Sequence, residues 1–137
     1  FHAYYQSRDQ NLTSDKCSRI EGIGRPRVEP SFLPDVIDHM IAVPDAATIA
    51  ALYWLEGKLG RKCGGSTGTN IYGALLLAAD MLARGEKGSI VTMICDNGDR
   101  YLDSYYNENW VKDEGLDTTR FAEALSGFDH TGKLEVG

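Results

Sequence analysis

The chain has 137 residues, with 14 Lys and Arg against 20 Asp and Glu, for a formal net charge of −6. That length is about one domain's worth; 42% apolar and 25% charged residues suit a soluble globular protein, and no apolar run reaches the roughly 20 residues that span a bilayer, so no membrane partner is expected. The basic residues are scattered and outnumbered, which argues against a nucleic-acid partner, since phosphate binding rests on clustered Lys and Arg.

Phe1 to Arg19 is aromatic at one end and polar at the other and predicts no single element. The chain opens at Phe1 without an initiator Met and is expected to be a fragment or a processed product. The sequon at Asn11 would matter only in a secreted protein, and no signal peptide is legible ahead of it. Glu21 to Pro30, "EGIGRPRVEP", carries two glycines and two prolines and reads as a long loop. Asp38 to Val43, "DHMIAV", reads as a short strand ending at Pro44. Asp45 is placed to cap a helix whose apolar positions Ile49, Leu52, Tyr53, Leu55 and Leu59 recur near helical spacing, with Gly60 just past its end.

"CGGSTGTN", Cys63 to Asn70, follows. From about Thr69 a second helix is predicted through Ile71, Leu75, Ala78, Ala79 and Leu82 to Gly85. Ser89 to Cys95, "SIVTMIC", is nearly continuous in apolar and β-branched residues, as in a strand buried on both faces. The β-α-loop-α-β order predicts an α/β protein with a mainly parallel sheet. Near the end, Asp117 caps a short helix over Thr118 to Leu125, and Gly127 onward is expected to be loose.

Cys17, Cys63 and Cys95 are odd in number and lack any C-x-x-C spacing. They fit reduced thiols and a cytoplasmic location better than a disulfide framework or a zinc site. No metal ligand set is legible: the carboxylates of "DNGD" lack the positions of a Ca²⁺ loop. His2, His39 and His130 are too scattered for a triad. Tyr53 and Trp54 fit a helix packed into a core, and Tyr105, Tyr106 and Trp110 fit an apolar anchor for the tail.

A Gly-rich loop that opens a helix offers backbone N–H groups and a helix dipole to an anion or polar ligand. Alone the pattern is weak, for it is neither G-x-x-x-x-G-K-[ST] nor G-x-G-x-x-G. The bland alternative is a turn in which Ser66 or Thr67 caps the helix.

Taken in order, "EGIG", "GGSTGTN" and "CDNGDRYL" resemble three motifs of the fold-type II pyridoxal-phosphate enzymes of the cysteine synthase and cystathionine β-synthase family. The likeness runs from about Arg19 to Tyr106. It implies the carboxyl-terminal portion of a three-layer parallel-sheet domain of the tryptophan synthase β-subunit-like architecture, with residues 1–106 in the catalytic domain and 107–137 an extension with a short helix. It also implies a pyridoxal 5′-phosphate cofactor and a small amino-acid substrate. A homodimer is implied too, with the tail a candidate for packing on the partner subunit.

By the same resemblance Ser66 matches the serine whose hydroxyl bonds the pyridine nitrogen. A neutral hydroxyl holds an extra proton there less firmly than a carboxylate does, which suits β-elimination and β-replacement. Gly22, Ile23 and Gly24 match the loop that closes over substrate, where glycines permit close approach and movement. Asp96, Gly98, Arg100 and Tyr101 match the segment after the last core strand. Cys95 stands where some relatives have Pro; its thiol is expected to be structural and buried.

Two departures qualify the likeness. The loop runs "GIGRPRVEPSFLP", adding Arg25 and Arg27 near the expected mouth, and this looks more like the cysteine desulfhydrases of the family than like its acetylserine-using synthases. The Schiff-base lysine, the substrate loop and the phosphate loop are expected upstream, so no catalytic residue is assigned in this chain. None of Lys16, Lys58, Lys62, Lys87, Lys112 or Lys133 stands in a matching context. The expected activity is β-elimination or β-replacement on L-cysteine or an activated serine, and the alternative is a non-catalytic α/β module that kept the loop for a small ligand.

Overall fold

The computed structural model describes residues 1–15 and 17–137. Lys16, one of the lysines just named, lies outside the described residues. The chain divides into two units, Phe1–Ala42 and Val43–Gly137.

The second unit is organised by α2, Asp45–Leu59, and α3, Gly65–Ala83. Pro44 rather than Asp45 stands at the N-cap of α2, and Asp45 is the first helical residue. Proline's fixed φ suits that extended position, and its carbonyl accepts from Thr48 N–H at 3.0 Å. Asp45 then places a carboxylate in the first turn, where the helix dipole favours it. Gly60 ends the helix as the sequence predicts, left-handed at φ 67 and ψ 18.

Residues 47–52 of α2 are all buried, because the helix is covered by α3 on one flank and by α5, Thr119–Thr131, on another. The core gathers Ala47, Ala50, Ala51, Tyr72, Phe121 and Leu125, with the Tyr72 and Phe121 rings edge to face at 5.9 Å. Small residues on α2 allow this approach. A Cβ on Gly68 of α3 would lie 2.5 Å from the carbonyl oxygen of Thr48 and 2.8 Å from Cγ of Leu52. The hydroxyls of Thr48 and Thr69 hydrogen-bond across the same seam at 2.9 Å.

The tail is more ordered than its sequence suggests. A short helix α4, Glu108–Asp113, is capped by Asn107, whose side chain accepts from Asn109 and Trp110 N–H. α5 continues past Gly127 to Thr131. Its first N–H, that of Thr119, is met by the carboxylate of Asp117 at 3.0 Å. That bond holds the Asp117 carboxyl below its ordinary range. Asp129 joins α5 to α2, accepting from Trp54 Nε1 at 3.1 Å and from Lys58 Nζ at 2.8 Å.

The predicted parallel sheet does not form among the described residues. Asp38–Val43 and Ser89–Cys95 are irregular, and pairing is confined to two isolated antiparallel bridges, Thr13 with Arg27 and Cys63 with Asn97. The described residues are thus largely helical, and the expected three-layer parallel sheet is not seen among them. A strand exists through its ladder. Apolar β-branched composition favours a pleated, packed setting but supplies no partner strand, and Val91 and Met93 are left 93% and 68% exposed.

In the first unit, α1, His2–Ser7, brings Phe1 onto Phe32 with the rings stacked at 4.6 Å. Tyr5 donates its hydroxyl to the carbonyls of Ile37 and Asp38, and a 3₁₀ turn covers Pro34–Val36.

Candidate functional site

α3 begins at Gly65, four residues ahead of the predicted Thr69, so the Gly/Ser/Thr stretch is not a loop before the helix but its first turn. Neither Ser66 nor Thr67 caps it; Gly64 stands at the N-cap. What permits this is the segment Met93–Tyr101, which is bonded to the start of the helix along its length. Gly64 N–H donates to the carbonyl of Asp96 at 2.9 Å, and Gly98 N–H donates to the carbonyl of Lys62 at 3.2 Å. Thr67, fully buried, turns its hydroxyl to accept from Cys95 N–H at 2.9 Å. Asn70 Nδ2 donates to the carbonyl of Met93 at 3.3 Å.

Two glycines are required at this contact for want of room. A Cβ on Gly64 would stand 1.7 Å from Oδ1 of Asp96, and one on Gly98 would stand 2.4 Å from Cβ of Lys62. Lys62 pairs with Glu56 and lies over the Tyr106 ring.

Asp96 is the unusual member. Its Oδ2 accepts from the Tyr101 hydroxyl at 2.8 Å, while its Oδ1 is shut from solvent with no hydrogen-bond partner. Such an atom is costly, roughly 1–3 kcal/mol, because its hydration is lost without replacement. The carboxylate rests against Gly64, at the positive end of α3.

Ser66 follows two residues later, half-buried between fully buried Gly65 and Thr67, and among the described residues its hydroxyl makes no hydrogen bond. The helix start thus carries a hydroxyl with no hydrogen bond among the described residues, at Ser66, and a carboxylate against its N-cap Gly64. An anion there would meet like charge. A neutral or protonated nitrogen would meet a hydroxyl able to donate or accept and a carboxylate able to stabilise positive charge. The cradle and the orphaned oxygen fit the ring-nitrogen end of a pyridine cofactor, not its phosphate.

Gly22, Ile23 and Gly24 form a turn in the first unit, with Ile23 N–H donating to the carbonyl of Ile20 at 3.2 Å. Gly22 and Gly24 are left-handed, at φ 81 and φ 73. A Cβ on Gly24 would also press within 2.6 Å of Ser18 Cβ. Arg100 lies with its guanidinium 5.8 Å from the Tyr101 ring centre.

Cys95 departs from expectation: it is exposed, with Sγ 3.6 Å from Asn70 Nδ2, and Cys63 is the buried cysteine. His39 is exposed. Among the described residues no group of three or more His, Cys, Asp or Glu converges as metal ligands would, and no helix is long and apolar enough to cross a membrane. Sequence reasoning missed the roles of Thr67, Asn70 and Tyr106. Thr67 had a signal in the run of hydroxyls after the glycines; Tyr106, which bonds Cys63 from 43 residues away, had none.

No protein-family model matches the chain. Among curated proteins, L-cysteine desulfhydrase Cds1 of Mycobacterium tuberculosis is 52% identical over 131 residues, 96% of this chain and 35% of that protein. The chain belongs to the cysteine synthase and cystathionine β-synthase family. Cysteine synthase 1 of Emericella nidulans is 29% identical over 117 residues, 84% of this chain and 31% of the relative. Cystathionine beta-synthase of Dictyostelium discoideum is 30% identical over 116 residues, 84% of this chain and 23% of the relative. This member of the family thus spans a third or less of the length of most of the relatives it matches, the desulfhydrase at 35% being slightly more.

Proposed function

We propose that the polypeptide carrying this chain is a pyridoxal-phosphate enzyme of sulfur amino-acid metabolism, acting by β-elimination or β-replacement on L-cysteine or an activated serine. The observation that carries the reading is the half-buried Ser66 hydroxyl in the first turn of α3, which makes no hydrogen bond among the described residues. The 52% identity to an L-cysteine desulfhydrase favours elimination, with sulfide as the leaving group.

When bound, pyridoxal phosphate supplies the electron sink that lets a β-substituent depart. In this chain Ser66 would hold the ring nitrogen by a hydrogen bond, and Gly64, without a side chain, leaves room for the Asp96 carboxylate beside the helix start. The Thr67 and Asn70 bonds to the 93–95 segment hold that segment against the first turn of α3, which would keep the site's wall in place. Gly22, Ile23 and Gly24 act as a closing turn that excludes water once substrate is in place. The Schiff-base lysine and the phosphate loop come from polypeptide beyond this chain. Lys58 and Lys62 are committed to ion pairs with Asp129 and Glu56.

On this reading the chain is the carboxyl-terminal piece of the family's three-layer α/β domain, with Ser89–Cys95 and Asp38–Val43 as strands whose ladders need the remaining sequence. The exposure of Val91 and Met93 supports it, since so apolar a run facing water marks a surface meant to be covered. Residues 1–106 then belong to the catalytic domain and 107–137 to an extension whose α5 packs on α2. A homodimer is proposed through the open groove of about 810 Å³ lined by Tyr53, Trp54, Val111 and Leu116. The free cysteines suit a cytoplasmic setting.

The test is the visible absorption of the intact natural polypeptide before and after L-cysteine. A cofactor band that cysteine displaces, with sulfide and pyruvate released from cysteine alone, is the expected result. Cysteine formation from an activated serine and sulfide would assign replacement instead. A colourless protein after incubation with pyridoxal phosphate would leave only a ligand-binding module. Light scattering of the same preparation reads the dimer.

A further inference from the structure

We propose that Tyr106 is a positioning residue for the cofactor's pyridine end: its hydroxyl clamps both peptide groups of Cys63, and that clamp sets where the first turn of α3 holds Ser66. The inference rests on the cofactor reading above, in which Ser66 meets the ring nitrogen, and adds the side chain that fixes Ser66 in place.

Bridge geometry makes a clamp necessary. Cys63 pairs with Asn97 in an antiparallel bridge whose hydrogen bonds come from their neighbours, Gly64 N–H to the Asp96 carbonyl at 2.9 Å and Gly98 N–H to the Lys62 carbonyl at 3.2 Å. In such a pair the opposed residues turn their own N–H and C=O outward, toward the place of a third strand. No third strand pairs there among the described residues. The Tyr106 hydroxyl takes both groups of Cys63 instead, donating to the carbonyl at 2.8 Å and accepting from the N–H at 2.9 Å. Cys63 is 2% exposed, so water is no substitute for these bonds.

The Tyr106 ring is itself held. Tyr53 of α2 meets it edge to face at 5.6 Å, Lys62 Nζ lies 4.7 Å from its centre, and Tyr106 N–H donates to the Tyr101 carbonyl at 3.2 Å. Burial lifts the hydroxyl to about 12, so it keeps its proton and its donor role across the neutral range.

From Cys63 the effect runs along the chain to Ser66. Gly64, the next residue, is the N-cap of α3, and its carbonyl accepts from Thr67 N–H at 3.0 Å, which closes a turn around Gly65 and Ser66. A closed turn fixes the backbone dihedrals it contains, so a shift of the Cys63 peptide carries the serine hydroxyl with it. A displacement of about 1 Å is enough to lose a hydrogen bond to a ring nitrogen.

The experiment uses the intact natural polypeptide and reads two quantities: the dissociation constant for pyridoxal phosphate, and the visible circular dichroism of the bound cofactor, which depends on how the ring is held. Tyr106→Phe keeps the aromatic ring and removes the clamp. Asn107→Ala removes the cap of α4 and leaves the clamp, so it separates lost stability from lost positioning. Both variants are measured well below their unfolding midpoints. We expect Tyr106→Phe to raise the dissociation constant roughly 3-fold, within the worth of the Ser66 bond it disturbs, and to alter the dichroism, with Asn107→Ala changing neither. In a Ser66→Ala background Tyr106→Phe should add nothing further, because the bond it acts through is already gone.

If Tyr106→Phe matches Asn107→Ala in both readouts, Tyr106 is a structural clamp only; the proposal then falls while the cofactor reading stands. A loss that persists undiminished in the Ser66→Ala background overturns it too, since Tyr106 then acts elsewhere than through Ser66. Should Tyr106→Phe not fold, Tyr53→Leu takes its place, removing the edge contact that steadies the ring while keeping the hydroxyl, and unchanged dichroism is then the overturning result. Failure of the wild type to bind pyridoxal phosphate overturns both the proposal and the reading it rests on.

Discussion

Tyr106 holds Cys63 by both of its backbone groups, its hydroxyl donating to the carbonyl at 2.8 Å and accepting from the N–H at 2.9 Å. Cys63 is 2% exposed and directly precedes the N-cap of α3, so this one side chain satisfies a buried peptide where the candidate site begins. Tyr106→Phe should therefore cost about 1–3 kcal/mol, the penalty of leaving buried groups unpaired, read as a lower urea midpoint with unchanged slope.

Tyr106 also predicts a pH response. Burial is the main cause that lifts its hydroxyl from 10.0 to about 12, against a lowering by its bond to the Cys63 backbone. A folded value above the unfolded one means stability that is fully present below pH 10.0 and lost as pH rises through about 12. Unfolding followed across that window should show the loss in wild type and a shallower decline in Tyr106→Phe.

Glycines in this chain separate by what surrounds them. Gly64 has φ −74, which any residue adopts, yet its Cβ would collide with the Asp96 carboxylate. Gly64→Ala should cost about 1–3 kcal/mol or more through forced displacement and weaken cofactor binding. Gly57, exposed in α2 with nothing within 4 Å of a built Cβ, is the control. Gly57→Ala should stabilise by about 0.5–1 kcal/mol through helix propensity, and a destabilised Gly57→Ala would undo the comparison.

Thr67→Val removes the hydroxyl that accepts from Cys95 N–H and keeps the shape. We expect a loss of about 1–3 kcal/mol and faster amide exchange at Cys95. An unchanged exchange rate would mean that the 93–95 segment is held by other contacts.

Ser66→Ala tests the site without testing the fold, since the Ser66 hydroxyl makes no hydrogen bond among the described residues. Thermal unfolding of the cofactor-free protein should change little. The dissociation constant for pyridoxal phosphate should rise roughly 3- to 10-fold, the worth of one net hydrogen bond. Equal affinity and an identical spectrum would count against Ser66 as the residue at the ring nitrogen.

Local rules made α2 legible: helical apolar spacing and a glycine stop fall where chain-local chemistry decides the outcome, and Gly60 ends the helix as that chemistry requires. The ordered motifs likewise placed the chain in its family before any coordinates. By contrast, the start of α3, the length of α5 and the existence of α4 were misjudged or missed, since these depend on contacts from distant segments. Gly64 can cap α3 because Asp96, 32 positions on, accepts its N–H. α5 runs through Gly127 while Phe121 and Leu125 are buried in the core beside α2.

The strands show the opposite limit. Ser89–Cys95 has the composition of a central strand, but composition states what a segment can pack against and not whether its partners are present. Sequence alone determined the family and the order of the motifs, and it nominated Ser66 as the residue to test. Only the tertiary structure decided that Ser66 lies inside a helix and that one buried carboxylate oxygen of Asp96 rests without a hydrogen bond against Gly64, because packing brings Asp96 onto Gly64 and no pattern of neighbours along the chain encodes which atoms are then left without a partner.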